Sequence, residues 1–152
     1  MSEENQQFAI QKLYLKDVSF ESPNAPHVFT DGEWKPQVNV QLNTVHNSIA
    51  QDTYEVVLEV TVTAKQNDKT AFLVDLKQAG VFSLSGFPEE NLGGMLGAYC
   101  PETLFPFARE AISELIAKGG FPQLLLQPVN FNALYTQQLE QQSAPAEQDT
   151  AH

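Results

Sequence analysis

Cys100 is the single cysteine of the chain and Pro101 follows it. To act as a nucleophile its thiolate would need a base such as His27 or His46 brought beside it. No spacing in the sequence supplies that base, and a small buried apolar side chain is the favoured reading. His27, His46 and His152 are scattered without metal-ligand spacing, so no metal site is expected. Gly93-Gly94-Met95-Leu96-Gly97 has neither GxGxxG spacing nor a GK[ST] ending, which excludes a phosphate loop. Its glycines suggest a mobile crossover whose Met95, Leu96 and Tyr99 adapt to different partners. Glu89-Glu90 reads as solvated charge. Glu110 and Glu114 are the acid/base candidates for the one enzymatic alternative, a small acyl-thioester-binding α+β enzyme, yet both fit the solvent side of a helix. The residues assemble no catalytic set and call for no cofactor, so a binding protein rather than an enzyme is expected.

Composition narrows what could be bound. In 152 residues, 8 Lys+Arg stand against 19 Asp+Glu, a formal net charge of −11, and Arg109 is the single arginine. Nucleic-acid binding neutralises phosphates with Lys and Arg, so DNA and RNA are excluded as expected partners. A basic protein surface is the natural complement. The start, Met1-Ser2-Glu3-Glu4-Asn5-Gln6-Gln7, lacks the basic and then apolar pattern of an export signal. No stretch approaches the ~20 apolar residues of a membrane span. With a lone thiol, these features give a cytoplasmic expectation, with no insertion into a membrane.

Strand periodicity dominates the first half. Tyr54, Val56, Leu58, Val60 and Val62 alternate with Glu55, Val57, Glu59 and Thr61, the mark of a strand with one buried face. Val38, Val40 and Leu42 alternate with polar residues over about 35–45, and a long run over 70–84 places Phe72, Val74, Leu76, Phe82 and Leu84 on one parity. Gln66-Asn67-Asp68-Lys69 supplies a hairpin turn between the last two strands. Over 8–20 the apolar phase switches from Phe8 and Ile10 to Leu13 and Leu15, then back to Val18 and Phe20, which predicts a bulge or a strand buried on both faces.

The second half changes period. Leu104, Phe105, Ala108, Ala111, Ile112, Leu115 and Ile116 follow helical spacing over 101–118, with Thr103 as N-cap, Pro106 in the first turn and Gly119 as C′ residue. A second helix is expected after the N-cap Asn130, carrying Phe131, Leu134, Tyr135 and Leu139 on one face. Strands first and helices second make the fold class α+β, a four-stranded antiparallel sheet followed by two helices. Leu73 and Val81 give the sheet's second face apolar side chains too, so self-association is expected to cover it. Residues 1–7 form an expected flexible N-terminus, 8–142 the folded domain and 143–152 a disordered acidic tail.

Several long strings add a family. Lys16-Asp17-Val18-Ser19-Phe20-Glu21-Ser22-Pro23-Asn24-Ala25-Pro26-His27-Val28-Phe29 and Tyr54-Glu55-Val56-Val57-Leu58-Glu59-Val60-Thr61-Val62-Thr63 resemble the bacterial export chaperones of the SecB family. So do Ala98-Tyr99-Cys100-Pro101, Leu104-Phe105-Pro106-Phe107-Ala108-Arg109-Glu110, Phe121-Pro122-Gln123-Leu124 and Pro128-Val129-Asn130-Phe131. The resemblance covers 8–139. It implies an ATP-independent chaperone, a homotetramer built as a dimer of dimers, that keeps preproteins unfolded and delivers them to the SecA translocation ATPase. In that family an acidic surface of the sheet receives the basic, zinc-containing C-terminus of SecA, the zinc belonging to SecA. The matching positions are Asp17, Glu21, Leu73 and Asp75, where Asp75 stands for the more usual Glu. For the client groove the resemblance points to Val38, Val40 and Leu42, with Trp34, Met95, Leu96, Tyr99, Phe131, Leu134, Tyr135 and Leu139 as further candidates. Val74, Leu76 and Gln78 match positions associated with tetramer assembly, and Ala79 stands where Gly is common.

Overall fold

The computed structural model describes residues 5–143. Its elements run β1 (Gln7–Glu21), a 3₁₀ turn (His27–Thr30), β2 (Gln37–Ala50), β3 (Thr53–Gln66), β4 (Lys69–Ser85), α1 (Glu89–Gly94), a π-helical turn (Met95–Tyr99), α2 (Cys100–Lys118) and α3 (Phe131–Ser143). The strands form one antiparallel sheet in the order β1-β4-β3-β2, so β1 and β2 are its two edges. This is the α+β sheet-then-helices arrangement the periodicities predict. Of the two expected terminal segments, 1–4 and 144–152 lie outside the described residues, whereas Gln7 already pairs with Ser85.

The phase switches in β1 are two register shifts. Pairing with β4 skips Gln11 and then Lys16, one extra residue each time. Each skipped residue reverses the side-chain alternation. Phe8 and Ile10 pair with Leu84 and Phe82, Leu13 and Leu15 with Gly80 and Gln78, and Val18 and Phe20 with Leu76 and Val74. All six apolar residues therefore share one face of the sheet, which would be impossible for an unbulged strand of this sequence.

That face carries the core. Val56, Leu58, Val60 and Val62 of β3 and Phe72, Val74, Leu76 and Phe82 of β4 are buried, and α2 packs on both strands through Leu104, Ala108, Ile112 and Ile116. Asn67 and Asp68 both take positive φ in the β3–β4 turn, as an Asn/Asp two-residue hairpin loop demands. The side chain of Gln66, buried at the same turn, donates to the carbonyls of Asp31 and Glu33 and accepts from the amide of Lys35, tying the β1–β2 connection to the sheet. That connection ends in an aromatic cluster in which Phe29, Trp34 and Phe72 surround Phe121 with ring centroids 5.0–5.3 Å away.

The helical half departs from expectation in four places. Residues 93–97 are helical, spanning the end of α1 and the π turn, where a mobile crossover was expected. The helical path starts at Glu89 after Pro88, so Thr103 caps nothing, and its hydroxyl donates to the carbonyl of Tyr99, 3.0 Å away. Pro106 consequently sits inside α2, on its exposed side, rather than in a first turn. At the other end Gly119 keeps φ −77°, and Gly120, at φ +90°, is the left-handed residue that reverses the chain. A Cβ on Gly119 would collide with the ring of Phe20, so its glycine serves close packing. Asn130 caps α3 as predicted, its Oδ1 accepting from the amide of Ala133 at 3.0 Å.

Candidate functional site

The sheet has two faces of different chemistry. On the face away from the helices, register places Glu21 opposite Leu73, Ser19 opposite Asp75 and Asp17 opposite Lys77. The four residues singled out there, Asp17, Glu21, Leu73 and Asp75, therefore lie on adjacent strands within a few residues of one another. Asp17, Glu21 and Asp75 are exposed, and Leu73, beside Glu21 at one end of the row, is half-buried. Asp75 is fixed from β3, its Oδ1 accepting from the hydroxyl of Thr61 at 2.6 Å. This is a surface with three carboxylates, interrupted by Lys77 opposite Asp17 and bounded at its Glu21 end by the apolar Leu73, suited to a basic ligand with an apolar contact.

Further along the same face lies a cluster that sequence reading missed. Tyr14 of β1 reaches across β4 above Ala79, where the small side chain leaves room, and its hydroxyl donates to Glu55 Oε2 on β3. Lys16, the second bulge residue, places its Nζ 2.9 Å from both carboxylate oxygens of Glu55. The Tyr14 hydrogen bond and then Lys16 hold the Glu55 carboxyl below its ordinary value. Partial burial and then Glu55 push the Tyr14 phenol up to about 12. The signal was present in the phase switch, which predicts a bulge and hence a re-aimed side chain, but the partner on β3 is 39 residues from Lys16.

The helix-bearing face is apolar and incompletely covered. Val38, Val40 and Leu42 pair with Ala64, Val62 and Val60, so all three look to the same side as the core. α2 lies over the central strands, leaving Val38 and Val40 on the edge strand 40% and 41% exposed. Leu42 continues into a pocket of about 190 Å³ between β2 and α3, lined also by Thr44, Gly97, Phe131, Leu134 and Tyr135. Along the opposite edge Ile10, Leu15 and Val18 of β1 are exposed on this face as well.

The other groove candidates divide. Leu134 and Tyr135 join Leu42 at the pocket, and Leu139 is exposed further along α3. Met95 and Tyr99 line a separate depression with Phe87 and Asn132, Tyr99 meeting Phe8 edge-on at 5.0 Å. Trp34 is half-buried in the aromatic cluster at Phe121. Leu96 and Phe131 are each 3% exposed, with Phe131 packed on Phe105, so in this chain they are core and offer a wall rather than a surface. Val74, Leu76 and Gln78 are also interior, and Gln78 donates from Nε2 to the carbonyl of Tyr14 at 3.2 Å. Leu125, 66% exposed beyond α2, was not singled out from the sequence because it sits in a run of three leucines without periodicity.

The chemistry candidates stay apart. Cys100 is fully buried, which pushes its thiol up to about 12, while His27 and His46 are exposed. Glu110 and Glu114 are exposed on α2, and Glu114 faces Lys118 at 3.9 Å one turn on. The groove beside them is open rather than the narrow pocket an acyl-thioester enzyme would need. Among the described residues no cluster of His, Cys, Asp and Glu could hold a metal, and no helix is long and apolar enough to cross a membrane.

Comparison with known proteins gives one family. Residues 1–142 match the family described as preprotein translocase subunit SecB. The protein-export protein SecB of Nitrosococcus oceani is 56% identical across 99% of this chain and 94% of its own length. That of Halorhodospira halophila is 60% identical across 89% of this chain and 78% of its own. Among solved structures, a SecB-like chaperone of Mycobacterium tuberculosis, in complex with a peptide from an antitoxin, superposes with a TM-score of 0.67 at 16% identity. That superposition covers 80% of this chain and 90% of the other, and it speaks for a shared fold.

Proposed function

Because the chain belongs to the SecB family, we propose that it is an ATP-independent export chaperone that binds unfolded preproteins on its helix-bearing face and presents them to the SecA ATPase through its acidic one. The observation that carries this reading is the segregation of chemistry between the two faces. Val38, Val40 and Leu42 point to one side of the sheet, and Asp17, Glu21, Leu73 and Asp75 to the other. One chain can therefore hold an apolar ligand and a basic ligand without competition for the same atoms.

Holding needs no bond making. Apolar client segments laid along β2 and into the Leu42–Leu134 pocket gain roughly 25 cal/mol per Å² removed from water. Side-chain burial of this kind reads hydrophobicity rather than sequence, which suits a variety of unfolded chains. A homotetramer, built as a dimer of dimers, would repeat the site and add avidity to individually weak contacts. The exposed Ile10, Leu15 and Val18 along β1, with the free edge of that strand, supply surface for such self-association on the helix-bearing side, rather than on the second face of Leu73 and Val81, where charged residues stand instead. Val74, Leu76 and Gln78 would act on assembly from beneath, by holding β1 and β4 in register. The chaperone would work in the cytoplasm, where preproteins are made and SecA meets them.

Light scattering behind size exclusion tests the reading, run with and without a permanently unfolded polypeptide such as a reduced, carboxymethylated protein. A tetramer that gains the mass of the unfolded chain, and ignores the same protein when folded, is expected. A species that ignores both would overturn the proposal.

A further inference from the structure

We infer that Gly93 and Gly97 form a seat for the ring of Tyr135, and that this seat sets how far α3 stands from β2 and so the width of the client pocket; the inference rests on the chaperone reading above. Gly93 lies in the last turn of α1 and Gly97 in the π turn, four residues apart and one above the other on a helical path. A Cβ on Gly97 would collide with the Tyr135 ring at its Cδ1 and Cε1 atoms, with Cγ next nearest. A Cβ on Gly93 would meet only the end of the same side chain, 2.5 Å from the hydroxyl oxygen and 3.8 Å from Cζ. The phenol thus lies against bare backbone, with its ring at one glycine and its hydroxyl at the other.

α3 packs on the π turn through Tyr135 and on α2 through Phe131, whose ring lies 5.7 Å from that of Phe105, and most of its other residues are polar and exposed. The π turn in turn contacts β2. Tyr135 and Gly97 both line the pocket whose other wall is Leu42 and Thr44. Displacing the ring by the radius of one methyl group must therefore move the α3 wall relative to the β2 wall. In this account Tyr135 is a positioning residue, and Leu42 and Leu134 make the client contacts.

The two glycines answer differently to one substitution, which makes the seat testable. Gly93→Ala adds a methyl group that collides with the hydroxyl alone, so Tyr135→Phe should relieve it. Gly97→Ala collides with the ring, so Tyr135→Phe should not. Alanine is the better helix former at both positions, so weakened binding cannot be ascribed to a poorer helix.

The test titrates each variant with a fluorescently labelled, reduced and carboxymethylated polypeptide, and reads, in separately labelled protein, the distance between spin labels at Thr44→Cys and Gln138→Cys across the pocket. Expected are a tenfold or greater loss of affinity and a shifted label distance for Gly93→Ala, both restored in Gly93→Ala/Tyr135→Phe but not in Gly97→Ala/Tyr135→Phe. Tyr135→Ala removes the wedge without adding an atom, and it should also shift the label distance if either glycine variant fails to fold. Unchanged affinity and distance in Gly93→Ala, or rescue of both glycine variants alike, would overturn the seat. If the unsubstituted chain itself ignores the polypeptide, the chaperone reading fails, and the label distances still decide the seat.

Discussion

Glu55 shows how a single residue couples two parts of the sheet. It receives the hydroxyl of Tyr14 and the ammonium of Lys16, so it fastens an edge strand across β4 to β3. Its folded-state value lies below the ordinary 4.5, so the ionised form contributes stability above that value and loses it as pH falls through the folded one. The difference in urea midpoint between the unsubstituted chain and Glu55→Gln should therefore be constant above about pH 6 and shrink steadily below 4.5. A difference that persists undiminished to about pH 3 would contradict the assignment. At this scale the sequence was legible where the signal is local, as in the Asn67-Asp68 turn and the Asn130 cap. It was silent where partners are remote. Nothing near Gln66 announces that it satisfies carbonyls 33 and 35 residues away.

Among the elements, β1 carries the most information in its irregularities. Its two skipped residues keep three apolar pairs on the core side, and the alternation of the sequence, read strictly, already required something of this kind. Deleting Gln11 would turn Phe8 and Ile10 away from that face and break the contacts of Phe8 with Phe82 and Tyr99. The expected cost is about 2 kcal/mol in urea unfolding. Gln11→Ala, which keeps the extra residue, should stay within about 0.5 kcal/mol. Equal effects from deletion and substitution would show that the bulge does not set the phase. The helices were less legible at their beginnings than in their bodies. The periodic face of α2 was clear from Leu104 to Ile116, but glycines at 93, 94 and 97 hid the preceding turns, because glycine is read as a breaker unless its packing partner is known. That partner, Tyr135, lies on another helix.

For the whole molecule, the arrangement follows from a sheet wider than the helix laid on it. α2 closes the central strands, and the edge strands keep apolar side chains on the same face for other occupants. Charge is left to the opposite face, where Asp17, Asp75 and Glu21 follow one another along β1 and β4 towards Leu73. The fold class and the strand phases were recoverable from the chain, since alternation fixes them, and the resemblance singled out the acidic positions. The division of the groove candidates into exposed, pocket-lining and interior was not, because helical and strand periods alone do not tell how far one layer overhangs another. The central claim is that the two faces bind independently. The most direct measurement is the affinity of Val40→Ser/Leu42→Ser for two ligands in parallel, an unfolded carboxymethylated polypeptide and the basic C-terminal segment of SecA. The account predicts at least a tenfold loss for the first with the second unchanged, and an equal loss of both would contradict it.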